Sequence, residues 1–172
     1  MTGRTGTQAM DGITLRNELR TGAIGRIIRL HGELYAHEYG WDWTFEAFVA
    51  QTFGRLAERR DEALDRIWLA ERGGAIVGCI AILAADADVA QLRWFLVHPI
   101  ARGGGLGRHL LEEALSFCRS AGYSHVFLWT MASLTAASHL YRSCGFERTH
   151  QETVERWGAM LTEERYEVDL GP

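Results

Sequence analysis

No stretch of this 172-residue chain approaches the roughly 20 consecutive apolar residues that span a bilayer, so a membrane-crossing helix is not expected. Met1 to Gly12 is polar and lacks the apolar core of a secretory signal. Cysteine is scarce: Cys79, Cys118 and Cys144 are odd in number and scattered, with no Cys-x-x-Cys pair. That argues against a disulfide framework and for a reduced, cytoplasmic compartment in which all three act as small apolar side chains. Runs of five or six basic residues are missing and the net charge is −4, so binding to the phosphates of nucleic acid is not expected. His37-Glu38 is not a zinc motif, because position 41 is Trp rather than His, and no metal is expected.

What is present is ordinary for a soluble globular chain: 47% of residues are hydrophobic and 23% charged. A chain of this length fits one domain and buries about two thirds or more of its unfolded surface. Residues 1–12 show no periodicity and read as a disordered leader, with 13–172 as a single domain.

Periodicity sets the elements. Ile13 to Glu18 alternates as a short strand. Ile24, Ile27, Ile28, His31, Leu34, Tyr35 and Glu38 form a helix stripe that Gly40 stops. A second amphipathic helix runs through Phe45, Phe48, Val49, Thr52, Phe53 and Leu56, capped by Asp42 or Thr44. Arg66 to Arg72 and Ala75 to Leu83 are strands joined by Gly73-Gly74, a hairpin signal, and Val89 to Val97 is a further apolar strand. A helix from Leu106 to Cys118, a strand from His125 to Thr130 and a helix from Leu134 to Cys144 follow. Glu147 to Val154 and Arg165 to Leu170 read as two closing strands. The alternation predicts an α/β fold: one mixed sheet with helices on both faces.

Arg102-Gly103-Gly104-Gly105-Leu106-Gly107 opens a helix just after a strand. Bare glycine backbone lets N–H groups approach a ligand, and a helix N-terminus adds the positive end of its dipole, so the segment is a candidate anion site flanked by Arg102 and Arg108. It is not a Walker loop, since Gly107-Arg108-His109 lacks Lys-Ser/Thr. It is not a dinucleotide fingerprint either, because five residues separate strand from glycines and no acidic residue follows at the right distance. A kinase glycine loop lies between two strands, whereas this one starts a helix.

The chain resembles the GNAT N-acetyltransferase family from about Ile13 to Leu170. Arg102, Gly105 and Gly107 match the family's Arg/Gln-x-x-Gly-x-Gly/Ala signature. Gln91 to Pro99 is similar to its fourth strand and Val-x-Pro exit, and Leu140-Tyr141 through Gly145-Phe146 to its Leu-Tyr-x-x-x-Gly-Phe segment. Trp129-Thr130 and the segment from His31 to Trp41 resemble acetyltransferase domains fused to MarR-type regulators. Only about a dozen residues precede the first strand, so a winged-helix half is not expected in this sequence.

The resemblance implies a largely antiparallel sheet of six to seven strands, about four helices, and a split between strands four and five. It implies acetyl-CoA as co-substrate, its pantetheine arm paired with Leu96 and Val97 and its pyrophosphate held by Arg102, Gly103, Gly104, Gly105, Leu106 and Gly107, with Arg108 helping. The acetyl group then passes directly to a primary amine of a small molecule or peptide, and the chain is free to form a homodimer. Tyr141 matches the family's tyrosine acid. The strand-four position that carries a Glu in some members is Gln91, which cannot take a proton, so the candidate bases are His31, Glu33 and Glu38. The family's Asn seven residues before the tyrosine is replaced by Leu134. Tyr35, Tyr39, Trp41 and Trp43 concentrate aromatic rings that either wall an acceptor pocket or lock the first two helices together. A non-catalytic acyl-CoA-binding module is the alternative that Gln91 leaves open. A DNA-binding regulator would need a basic face that is not found.

Overall fold

The computed structural model of the chain describes residues 12–59 and 61–171, so the expected leader lies, Gly12 apart, outside the described residues. Alternation forms β1 (Ile13–Arg16), and the three-and-four spacing of Ala23, Ile27, His31, Leu34 and Tyr35 forms the buried stripe of α1 (Ala23–Tyr39). Gly40 ends α1 at φ 71, its N–H donating to Ala36 O at 3.0 Å. Asp42 starts α2 (Trp43–Arg59): its Oδ1 accepts from the Thr44 N–H at 2.9 Å and its carbonyl from the Phe45 N–H at 3.1 Å. There follow β2 (Arg66–Arg72), β3 (Ala75–Ala84), β4 (Val89–Val97), a 3-10 turn (Pro99–Ala101), α3 (Leu106–Ala121), β5 (His125–Met131), α4 (Thr135–Ser143), β6 (Glu147–Arg156) and β7 (Ala159–Asp169).

The seven strands make one sheet in the order β1-β2-β3-β4-β5-β7-β6, in which only β4 and β5 run parallel. The α1–α2 pair seals one face over Ile27, Val49, Phe53, Trp94 and Leu96. Helices α3 and α4 seal the other over Leu110, Leu111, Leu128, Tyr141 and Tyr166. This is the expected mixed sheet, and the split is present. β4 and β5 share only the pairs Val89–His125, Ala90–Val126 and Gln91–Phe127, after which the strands part.

Where they part, β4 bulges. Cys79 pairs with Leu96 but Ala81 pairs with Arg93, so Ile80 faces two residues, and Trp94 sits at φ 49. An extra residue sends every later side chain to the opposite face. Ala90 and Leu92 accordingly join the α3–α4 core, whereas Trp94 and Leu96 join the α1–α2 core. A positive φ costs a bulky residue about 1–2 kcal/mol. Trp94 offsets it by stacking on Phe53 at 3.8 Å and donating its Nε1–H to Thr52 Oγ1 at 2.9 Å.

The β6–β7 hairpin is longer than periodicity suggests: β7 begins at Ala159, not Arg165. The turn is Trp157-Gly158, both at positive φ (54 and 77), and a tryptophan there is a weak turn signal. Tertiary packing holds it. The Trp157 ring lies 4.6 Å from Trp41 and 4.7 Å from Phe45, and its carbonyl accepts from the Asp42 N–H at 3.0 Å. A side chain at Gly158 would come within 2.8 Å of Asp42 Oδ2.

Candidate active site

A cleft of about 500 Å³ passes through the gap between β4 and β5. At one end is the start of α3. Gly103 and Gly105 take φ 81 and 82, and Gly105 occupies the helix N-cap without a capping side chain. Among the described residues, the backbone N–H groups of 103–108 donate to no protein acceptor. A Cβ added at Gly103, Gly104 or Gly105 would meet nothing within 4 Å. Open donors, bare backbone and the helix dipole together make a seat for an anion. Leu106 and Gly107 line the cleft from the same turn, while Gly104 is not part of its lining.

Both arginines of this region are partly engaged by protein. Arg102 donates from Nε to Val97 O at 2.9 Å and grips Glu38 with both arms, at 2.9 and 3.1 Å. It ties the last turn of α1 to the end of β4. Arg108 lies outside the cleft lining, its Nη2 donating to Ser143 Oγ at 2.9 Å across the end of α4.

Midway along the cleft stand Leu96 and Val97 from β4 and Tyr141 from α4. Tyr141 is 4% exposed, with its ring about 6 Å from those of Phe95, Phe146 and Tyr166 (5.9, 5.8 and 5.9 Å). Burial, and secondarily Tyr166, pushes its phenol well above the usual range, so it stays protonated at neutral pH.

The far end is aromatic. Tyr35, Tyr39, Trp41, Phe45 and Trp157 stack edge and face at 4.6–5.6 Å, both lining the cleft and fastening α1 and α2 to the β6–β7 hairpin. Trp43 is not among them. As the first residue of α2 it points outward, 76% exposed, and lines nothing in the cleft.

His31 lies in this end, 3% exposed, with Nδ1 2.9 Å from Ile27 O, so Nδ1 carries the proton and donates. Burial drives its pKa down to about 4, only partly opposed by that hydrogen bond. The unfolded chain binds a proton near pH 6.5 that the folded chain takes up only near pH 4. Stability from this group is therefore present above pH 6.5 and lost as pH falls towards 4, by about 3 kcal/mol in all. Urea unfolding of a His31→Gln variant across that range is expected to show a shallower pH slope than the parent. Equal slopes would mean that His31 titrates normally.

Residues 155–164, unassigned by periodicity, contribute three cleft residues not anticipated: Arg156, Trp157 and Glu163. The signal that could have found them is alternation across Trp157-Gly158, which continues through Glu163, Arg165 and Glu167. No cluster of His, Cys, Asp and Glu suited to a metal occurs among the described residues, and none of their helices is long and apolar enough to cross a membrane.

A family model described as the acetyltransferase (GNAT) family matches residues 30–146, more than half of the chain. The chain belongs to the GNAT family. Among curated relatives of this GNAT chain, an IAA acetyltransferase of Azospirillum brasilense is 38% identical over 82 residues, covering 47% of this chain and 54% of the relative. N-acetyltransferase family 8 member 3 of Rattus norvegicus is 38% identical over 87 residues, covering 48% and 38%. The matched region thus spans about half or less of these two relatives. Among solved structures, an acetyltransferase of Streptococcus agalactiae superposes with a TM-score of 0.72 at 20% identity, covering 92% of this chain and 99% of the other. A Salmonella typhimurium structure described with its cofactor acetyl-CoA gives 0.71 at 18% identity, covering 94% and 96%. At such identities the likeness is one of fold.

Proposed function

We propose that this GNAT chain transfers the acetyl group of acetyl-CoA directly to a primary amine of a small molecule or peptide. The observation that carries the reading is the set of open N–H donors at the start of α3, at the mouth of a cleft that runs between β4 and β5 to an aromatic chamber. Residues 103–107 would hold the pyrophosphate by backbone donors and helix dipole, and the parted edge of β4 at Leu96 and Val97 would pair with the pantetheine amides. When bound, acetyl-CoA supplies an activated acyl group. The chain supplies alignment, exclusion of water by the aromatic end, and the Tyr141 hydroxyl as a donor to sulfur as it gains charge. Direct transfer needs no covalent nucleophile.

Tyr35, Tyr39 and Trp41, joined by Trp157, form the acceptor chamber in this reading, and Trp43 drops out of it. The kinship to MarR-fused acetyltransferase domains, the single-domain organisation, a cytoplasmic location and a homodimer belong to the same proposal and rest on sequence alone. A non-catalytic acyl-CoA-binding module remains the second reading, because Gln91 lines the cleft where a carboxylate would serve as base. The test is to incubate the protein with acetyl-CoA and a panel of primary amines, including aromatic amines, polyamines and short peptides. Free thiol and an acetylated product by mass spectrometry are expected with at least one amine. Acetyl-CoA binding with no thiol release across the panel would favour the second reading.

A further inference from the structure

An amine reaches such a chamber as an ammonium ion and must lose a proton before its nitrogen can attack. Three side chains lining the cleft could accept that proton, and two are committed elsewhere. His31 is neutral, with its Nδ1–H on Ile27 O and its basicity lowered to about 4. Glu38 is held by both arms of Arg102. The third is Glu163 on β7.

Glu163 pairs with Met131 in the β5–β7 ladder, and paired residues share a face, so its carboxylate lies on the α1–α2 side beside Met131. It is 7% exposed yet lines the cleft. Its cation partner among the described residues is Arg156, whose Nη1 is 3.4 Å away, looser than the 2.7–2.9 Å of a firm charged hydrogen bond. A buried carboxylate that faces a cavity with only a loose partner is an available proton acceptor.

We propose that Glu163 is the catalytic carboxylate that receives the acceptor's ammonium group and removes its proton, an assignment that rests on the acetyltransferase reading above. One N–H proton passes to a Glu163 oxygen, leaving the nitrogen lone pair free. That pair forms the C–N bond to the acyl carbon as the C–S bond breaks. The second N–H proton replaces the one Tyr141 donates to sulfur, and Glu163 returns its own proton to solvent, so one proton is released per amide formed. The charged and titratable groups that act on Glu163 are Arg156, Glu152 and His150 on β6, and His31, Tyr35 and Glu38 of α1 line the same cleft. Burial raises its pKa, Arg156 opposes this and Glu152 adds to it, which moves the carboxyl towards the basicity a proton acceptor needs.

The experiment uses the amine with the highest kcat/KM in the panel and compares the parent with Glu163→Gln and Glu163→Asp. Glu163→Gln is expected to lower kcat/KM about 10²-fold at pH 7, with the deficit shrinking as pH approaches the amine's own pKa. Acetyl-CoA affinity by calorimetry should be unchanged. Binding of that amine to protein saturated with CoA, where no reaction occurs, should weaken about tenfold. Glu163→Asp should recover part of the rate. Parental kcat/KM and pH profile in Glu163→Gln would overturn the assignment, as would a pH-independent deficit accompanied by loss of acetyl-CoA affinity. If the parent protein acetylates no amine, the acetyltransferase reading itself fails, a result separate from one in which the parent works and Glu163→Gln works equally well.

Discussion

A Tyr141→Phe variant is expected to lose about 10²-fold or more in single-turnover rate while binding acetyl-CoA as tightly as the parent. The substitution removes one oxygen and leaves the ring among Phe95, Phe146 and Tyr166, so packing and stability should hardly change. Because burial keeps the phenol protonated, the donor is loaded at every working pH. The same upward shift makes complete transfer to a thiolate of pKa about 8.5 unfavourable in isolation. The hydroxyl therefore acts first as a hydrogen bond that strengthens as charge builds on sulfur, and it completes the transfer only as it regains a proton from the nitrogen. Removing such an interaction lowers kcat and kcat/KM together. Single-turnover measurement keeps slow product release from masking the loss. Parental rates would remove Tyr141 from the chemistry.

The second large effect concerns Gly105. Gly105→Asp is expected to weaken acetyl-CoA binding about 10²- to 10³-fold with little change in thermal stability. Two like charges about 4 Å apart at an effective dielectric near 20 repel by about 4 kcal/mol, which is that range of affinity. The fold should tolerate the change. A Cβ at Gly105 has open space, Asp is one of the few residues that enter the left-handed region, and a carboxylate at the start of α3 complements the helix dipole. Gly105→Asn separates strain from charge, since it imposes the same φ of 82 without the anion and should bind within a few-fold of the parent. Calorimetric titration that finds Gly105→Asp unimpaired would place the phosphates elsewhere.

Elements whose signal is local were legible from the residues. The stripe of α1, the Gly40 stop, the Gly73-Gly74 hairpin and the glycine run before α3 each follow from periodicity or turn chemistry, and each lies where expected. What escaped is decided by distant partners. Trp157 can hold a positive φ because Trp41, Phe45 and Phe48 surround its ring, and those residues lie over a hundred positions earlier in the chain. With that hairpin hidden, Glu163 fell outside any expected strand, and the alternation that runs through it to Arg165 and Glu167 was not carried back to the cleft. The outward turn of Trp43 has a similar cause. Asp42 caps α2, which puts the next residue on the solvent side of the first turn, while Trp41, one residue before the cap, swings inward. Pairing of Arg102 with Glu38 joins positions 64 apart and has no local signature.

The bulge at Trp94 has a bearing on solubility. Beyond Gln91 and Phe127, β4 and β5 each lose a neighbour, so the sheet contains two edges within its own body. Unpaired edges invite strands from other molecules, and proteins guard them by breaking the regular repeat of donors and acceptors. Here the extra residue opposite Ile80 interrupts that repeat, and the inserted indole, pinned to Thr52 and Phe53, keeps it from slipping back into register. A foreign strand would find only a few residues to match before its pattern failed, whereas a short, flexible, amide-bearing chain needs no more than that.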